Sequence, residues 1–217
     1  MHIYTKSVKI YELMATIPTP PRSQFFRAFE RKIAGNPRTV LDIGCGSGEH
    51  AMYLAGQGHR VVGITNEAGT VREITRTARN LGLTGCSFVE ADARNLKKEL
   101  SGRRFGAVLI MNVLHLMNKA DSWQVVESAK HMAEFGGLNA VSGYLVDPAA
   151  VSKKHAAQML QPGELIDYYQ HEPEWQVLSY QEDPFRLSRR GGHERIYSHA
   201  DLIAQRLPNT PVSPDMY

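Results

Sequence analysis

The sequence predicts an α/β fold of the doubly wound kind, with a mostly parallel sheet, helices between strands and an antiparallel hairpin near the C-terminal end. Three observations carry that expectation. Short apolar runs alternate with segments of helical period from residue 22 to residue 145, the pattern of a parallel sheet. The first run, residues 40–43, leads into glycines at positions 44, 46 and 48, a sharp strand-to-helix turn that needs residues without Cβ. After about Pro148 the alternation stops, and residues 175–180 switch to the two-residue period of a half-buried strand.

Taken in order, residues 22–34 carry Phe25, Phe26, Ala28, Phe29 and Ile33 at helical spacing, limited upstream by Pro18, Pro20 and Pro21. Residues 40–43 form the first buried strand, and the helix from Glu49 ends at Gly56 and Gly58. A second strand covers residues 60–64. Val71, Ile74, Ala78 and Leu81 then make a helix face closed by Gly82. Strands follow at 86–90 and 107–111, then a helix over 122–133 that Gly136 and Gly137 end, then a fifth strand at 138–145. Residues 151–170 read as mostly helical, interrupted at Pro162 and Gly163, before the hairpin strands at 175–180 and from 195–197. The expected organisation is a helical cap at 1–37, one main domain at 38–207, and a disordered tail at 208–217 with three prolines.

Composition narrows the function classes. The chain has 217 residues and a net charge of +3, with no internal repeat and no low-complexity segment. Its longest apolar run, residues 105–117, contains Asn112 and His115 and is too short to cross a bilayer. Lys6 and Lys9 are not followed by the apolar core of a secretory signal, so the expected location is the cytoplasm. Cys45 and Cys86 make neither a disulfide framework nor a zinc site, and no metal centre is expected. The basic pairs Lys97 with Lys98, Arg103 with Arg104 and Arg189 with Arg190 read as solvated faces, so nucleic acid is not an expected partner.

The glycine turn is the most informative motif. A nicotinamide fingerprint would place its third glycine at position 49, where the chain has Glu49. Asp42 stands two residues ahead of the first glycine instead. That spacing resembles motif I of class I S-adenosylmethionine (SAM)-dependent methyltransferases. The resemblance implies a Rossmann-like, seven-stranded version of the predicted sheet. It also implies that Gly44, Cys45, Gly46 and Gly48 pass the methionine part of SAM, with Asp42 ordering the loop or reaching the cofactor's amino group. At the second strand end the family carries an acid for the ribose hydroxyls. Here Thr65 holds that place, followed by Asn66, with Glu67 either a late replacement or an acid of the next helix's first turn. At the third strand end Asp92 corresponds to the acid that meets the adenine amino group and Ala93 to the adjacent amide; a helix-cap role for Asp92 is the alternative. Asn112 falls at the motif IV position, which by the resemblance places it among the cofactor-binding residues. The run Asn112, Val113, Leu114, His115 lacks the Asn-Pro-Pro-aromatic signature of nucleic-acid amino methyltransferases.

Residues 38–197 are further similar to the tellurite-resistance (TehB-like) methyltransferases, relatives of the thiopurine methyltransferases. The similarity rests on Leu41 to Gly48 followed by Tyr53, Leu54 and Ala55, and on Pro162, Gly163, Glu164 and Leu165 with Tyr168, Tyr169, Trp175, Tyr180, Glu182 and Asp183. It implies acceptor-site arginines at Arg189 and Arg195. Ser188 stands where that family has a histidine, which leaves His193 as a neighbour able to replace it. His115 is a candidate general base, the alternative being a satisfied histidine on a short helix. The expected activity is in-line methyl transfer from SAM, yielding S-adenosylhomocysteine, to a S/Se/Te, O or N atom of a small molecule. A sulfur, selenium or tellurium nucleophile needs no strong base, whereas a hydroxyl or ammonium does. Phe25, Phe26 and Phe29 are expected to be core, with closure over the acceptor as the alternative. RNA methylation and a non-catalytic SAM-fold binding protein are the alternatives.

Overall fold

The computed structural model describes residues 21–36, 38–145, 159–190 and 193–208, with side-chain surroundings for all of these except 184–197. The chain has two compact units, one up to Asp92 and one from Ala93 onward. The described strands number seven and are mostly parallel, three in the first unit and four in the second. No helix among the described residues is long and apolar enough to cross a membrane.

The first unit begins with α1 (Gln24–Ile33), whose N-cap Ser23 accepts a hydrogen bond from the Phe26 N–H at 3.3 Å. Its apolar stripe, Phe25, Phe26, Phe29 and Ile33, is buried. The strands β1 (Thr39–Ile43), β2 (Arg60–Thr65) and β3 (Cys86–Glu90) run parallel in the order β3-β2-β1. Helix α2 (Glu49–Gly56) connects β1 to β2, and α3 (Ala68–Asn80) connects β2 to β3. β1 and β2 are buried along almost their whole length, as parallel strands covered on both faces are, whereas β3, last in the strand order, is only partly covered.

The second unit opens with a 3₁₀ turn (Ala93–Asn95) and the single-turn α4 (Leu96–Glu99). Then come β4 (Phe105–Met111), a second 3₁₀ turn (Leu114–Leu116) and α5 (Lys119–Met132). Asn118 caps α5, its Oδ1 accepting from the Asp121 N–H at 2.9 Å. β5 (Ala133–Leu145), α6 (Glu164–Gln170), β6 (Trp175–Arg190) and β7 (His193–Arg206) complete the unit. Its strands are ordered β4-β5-β7-β6; β4 and β5 are parallel, and β7 is antiparallel to both β5 and β6.

Two expectations are corrected. Gly136 and Gly137 do not end the preceding helix: α5 stops at Met132 and β5 starts at Ala133, so the glycines lie inside the strand. They form a bulge there, because Phe105 pairs with Ala133 but Ala107 pairs with Leu138. Gly136 takes φ 75°. Backbone oxygens at this bulge are held by β7, Gly136 accepting from Gln205 Nε2 at 3.1 Å and Ala133 from Arg206 Nη1 at 2.9 Å. A Cβ on Gly137 would stand 2.8 Å from the Glu134 carbonyl oxygen and 3.0 Å from its nitrogen. Both are backbone atoms, so Gly137→Ala is expected to cost about 1–3 kcal/mol, read as a lower urea midpoint. An unchanged midpoint would show that the bulge yields freely.

The second correction is hairpin length. β6 runs well beyond residue 180 and β7 begins at His193. The register shifts between Asp183 and Arg186, where Pro184 lies, so the proline sits in a bulge rather than ending the strand. The expected helical stretch at 151–158 and the tail from 209 onward lie outside the described residues.

Candidate functional site

In the first unit the C-terminal ends of three adjacent strands carry the candidate site residues. The chain leaves β1 through Gly44 (φ 72°), Gly46 (φ 50°) and Gly48 (φ 73°), all left-handed, a conformation that residues with a Cβ adopt only with strain. The turn stays tied to β2 by the Cys45 N–H donating to the Ile64 carbonyl at 2.8 Å. It closes with the Gly48 N–H on the Cys45 carbonyl, also at 2.8 Å. Gly48 is the N-cap of α2 and brings no side chain to it. Beneath the turn lies Phe88 of β3, 2.8 Å from where a Cβ on Gly63 would be and 3.1 Å from one on Gly48. Gly63 and Phe88 are supporting residues that sequence reasoning missed; Gly63 within an otherwise β-branched run was the available signal.

Asp42 is 2% exposed, and its Oδ2 has no hydrogen-bond partner among the described residues. Burial alone pushes its pKa up to about 7. A native protein keeps few such atoms, because an unpartnered buried oxygen costs about 1–3 kcal/mol. Cys45 is buried beside it, and burial followed by the Asp42 charge pushes the thiol up to about 12, which removes it as a nucleophile near neutral pH.

Thr65 ends β2, is 9% exposed, and its carbonyl accepts from the Ala91 N–H at 2.9 Å. Asn66 and Glu67 are exposed. The Glu67 carboxylate accepts from the Thr70 hydroxyl at 2.7 Å within the first turn of α3, the helix-start role left open above. Asp92 is half-buried just past β3. The first unit therefore brings Asp42, the glycines, Cys45, Thr65 and Asp92 to the ends of neighbouring strands.

Ala93 and Asn112 belong to the second unit. Asn112, at the end of β4, is the one non-glycine described residue with positive φ, at 56°. Its N–H donates to the Ser142 carbonyl at 3.1 Å, and its Oδ1 is buried without a partner among the described residues. His115 lies in the following 3₁₀ turn, its Nδ1 likewise buried and unpartnered, and burial lowers its pKa below the ordinary histidine value. Its ring meets Tyr144 edge-on, with centroids 4.4 Å apart, and Tyr144 lies 4.4 Å from His199. Neither Tyr144 nor His199 carried a sequence signal; the β5–β7 pairing, which sets them opposite each other, brings them together. On the hairpin, Ser188 pairs with Arg195, Arg189 with Glu194 and Arg190 with His193. The side chains of Arg189, His193 and Arg195 lie outside the described residues.

Strand order and glycine turn together define the class of fold: a Rossmann-like, mostly parallel α/β sheet with an antiparallel C-terminal hairpin. Residues 40–137 match the family model described as a methyltransferase domain. The solved structure of TehB from Haemophilus influenzae superposes with a TM-score of 0.72 at 18% identity, over 87% of this chain and 63% of that one. In sequence, the probable SAM-dependent methyltransferase TehB of Haemophilus influenzae is 21% identical over 79% of this chain and 58% of its own length. The 2-heptyl-1-hydroxyquinolin-4(1H)-one methyltransferase of Mycobacteroides abscessus is 32% identical over 45% of this chain and 41% of its own. The chain thus spans between two fifths and three fifths of the length of these curated relatives.

Proposed function

We propose that this protein binds SAM and transfers its methyl group to a small molecule. The observation that carries the reading is the left-handed glycine turn with a buried carboxylate at its base, one oxygen of which has no partner among the described residues. An ammonium group is the complement such a carboxylate lacks, and SAM's methionine part has one. Support also comes from the matched methyltransferase domain and from relatives whose names specify methylation, one of them of a small hydroxyquinolone.

SAM supplies a methyl carbon already activated by its sulfonium. Gly44, Gly46 and Gly48 would let the backbone come close to the cofactor, and Asp42 would hold its amino group. Thr65 and Asn66 would take the ribose hydroxyls; Thr65 offers one neutral hydroxyl where the family's acid offers a charged pair of acceptors. Asp92 and the Ala93 amide would receive the adenine. With the donor fixed, the protein's remaining task is to hold the acceptor atom in line with the S–CH₃ bond, chiefly an effect of proximity and orientation.

Isothermal titration with S-adenosylhomocysteine tests this directly. Wild type is expected to bind in the micromolar range, and Asp92→Ala to weaken binding by about 1–3 kcal/mol, the scale of one charged hydrogen bond. No binding by wild type would reject the reading. Equal affinities for wild type and Asp92→Ala would take Asp92 out of the adenine site.

A further inference from the structure

The second unit carries a feature that cofactor binding does not use. Past β4 the His115 ring stands edge-on to Tyr144 at 83°, and Tyr144 is tilted 46° against His199. The row runs from the 3₁₀ turn across β5 to β7, and all three residues are half-buried. Two buried polar atoms at the same strand end, Asn112 Oδ1 and His115 Nδ1, have no partner among the described residues. Asn112 is also held at positive φ, strain of the kind that persists where the surroundings impose it. Beside His115, Leu116 is 71% exposed, an apolar side chain left in water.

These features select a ligand by chemistry. An oxyanion such as selenite or tellurite is strongly hydrated and needs guanidinium or ammonium partners to leave water. The row offers two imidazoles and a phenol, none with a permanent positive charge, and burial disfavours the protonated form of His115. Aromatic edges and an exposed leucine suit a flat apolar ring. The two unpartnered atoms suit a group that donates a hydrogen bond.

Resting on the methyltransferase reading, we propose that the acceptor is a neutral, planar aromatic molecule carrying a hydroxyl or ring N–H, held on the His115–Tyr144–His199 row, with His115 its base and Tyr144 a positioning residue. The acceptor oxygen or nitrogen forms a bond to the methyl carbon, and the carbon–sulfur bond of SAM breaks with its electron pair left on sulfur. The acceptor's proton goes to Nδ1 of His115 and from there to water. Tyr144, edge-on to His115 and packed on His199, holds the imidazole in place.

The test uses the full chain with radiolabelled SAM and four probes: 2-naphthol and 4-hydroxyquinoline as neutral protic rings, selenite as the oxyanion, and thiophenol as an acceptor that needs no base. Methylation of the protic rings and not of selenite is expected. His115→Asn is expected to lower kcat on 2-naphthol by about 100-fold or more, with S-adenosylhomocysteine binding unchanged. Tyr144→Ala is expected to raise the acceptor KM about tenfold with kcat nearly constant, and Tyr144→Phe, which keeps the ring, to restore it. Thermal melts of each variant separate misfolding from these effects. Wild type that binds S-adenosylhomocysteine but methylates only selenite or thiophenol, or none of the four, overturns this inference alone. Full activity in His115→Asn also overturns it. Failure of wild type to bind S-adenosylhomocysteine overturns the reading beneath it as well.

Discussion

Asp42→Asn is expected to make this protein more stable above pH 7 while weakening its hold on S-adenosylhomocysteine. The folded Asp42 carboxyl has its pKa raised from 3.8 to about 7 by burial. Between those values the unfolded chain has lost the Asp42 proton and the folded chain keeps it. The folded state binds more protons, so stability falls as pH rises through this window. At 1.36 kcal/mol for each pKa unit the full loss is about 4 kcal/mol, an upper bound. Asparagine has nearly the same shape and does not ionise. Urea unfolding of both proteins from pH 4 to pH 8 would therefore show their difference growing in favour of Asp42→Asn and levelling off above pH 7. A pH-independent difference would mean that the folded carboxylate is already ionised with a partner. Under the proposed function the same substitution removes one charged hydrogen bond to the cofactor's ammonium, worth about 2–3 kcal/mol, or about 30- to 150-fold in Kd. Wild-type affinity is expected to rise as pH passes 7, because the ligand selects the ionised carboxylate. Stability and binding pull in opposite directions at this residue.

Phe26→Ala is expected to cost about 3–5 kcal/mol of folding free energy. Phe26 is fully buried, with ring centroids 6.3 Å from Phe29, 4.6 Å from the His50 ring and 5.9 Å from Tyr53. Truncation would leave a cavity among side chains of α1 and α2 that cannot all collapse into it. Tyr53 is also held from α1, donating to Glu30 Oε1 at 2.5 Å, which limits how far it can shift. The experiment separates two uses of the α1 phenylalanines, as core or as a cover over an acceptor. Core residues lower the unfolding midpoint and leave S-adenosylhomocysteine affinity unchanged at temperatures where the protein is folded. A cover would change acceptor KM with less than about 1 kcal/mol lost in stability, well below the cost of truncating a core aromatic. Complete burial of Phe26, Phe29 and Ile33 favours the first outcome.

Much of the fold was legible because its signals are local. Residues 86–90 match β3 with both ends correct, and the glycines at 44, 46 and 48 mark a turn whose backbone is left-handed at each of them. The same locality explains the errors. A glycine pair after a helix looks like a stop, yet Gly136 and Gly137 sit inside β5 because pairing with β4 requires extra residues there. The two-residue period fades after residue 180, yet β6 runs on because the β6–β7 ladder continues past a register shift between Asp183 and Arg186. Neither outcome can be read without the partner strand.

The candidate site divides along the same line. The sequence by itself determined the order of strands and helices, the glycine turn and the acids at positions 42 and 92, since period, missing Cβ atoms and residue type act over a few neighbours. Only the tertiary structure decided that Asp42 is buried with an oxygen unpartnered among the described residues, that Glu67 bonds to Thr70, and that Tyr144 packs against both His115 and His199. Burial and cross-strand register belong to residues distant in the chain, and desolvation, which sets the charge of Asp42 and of His115, exists only once those residues have closed around them.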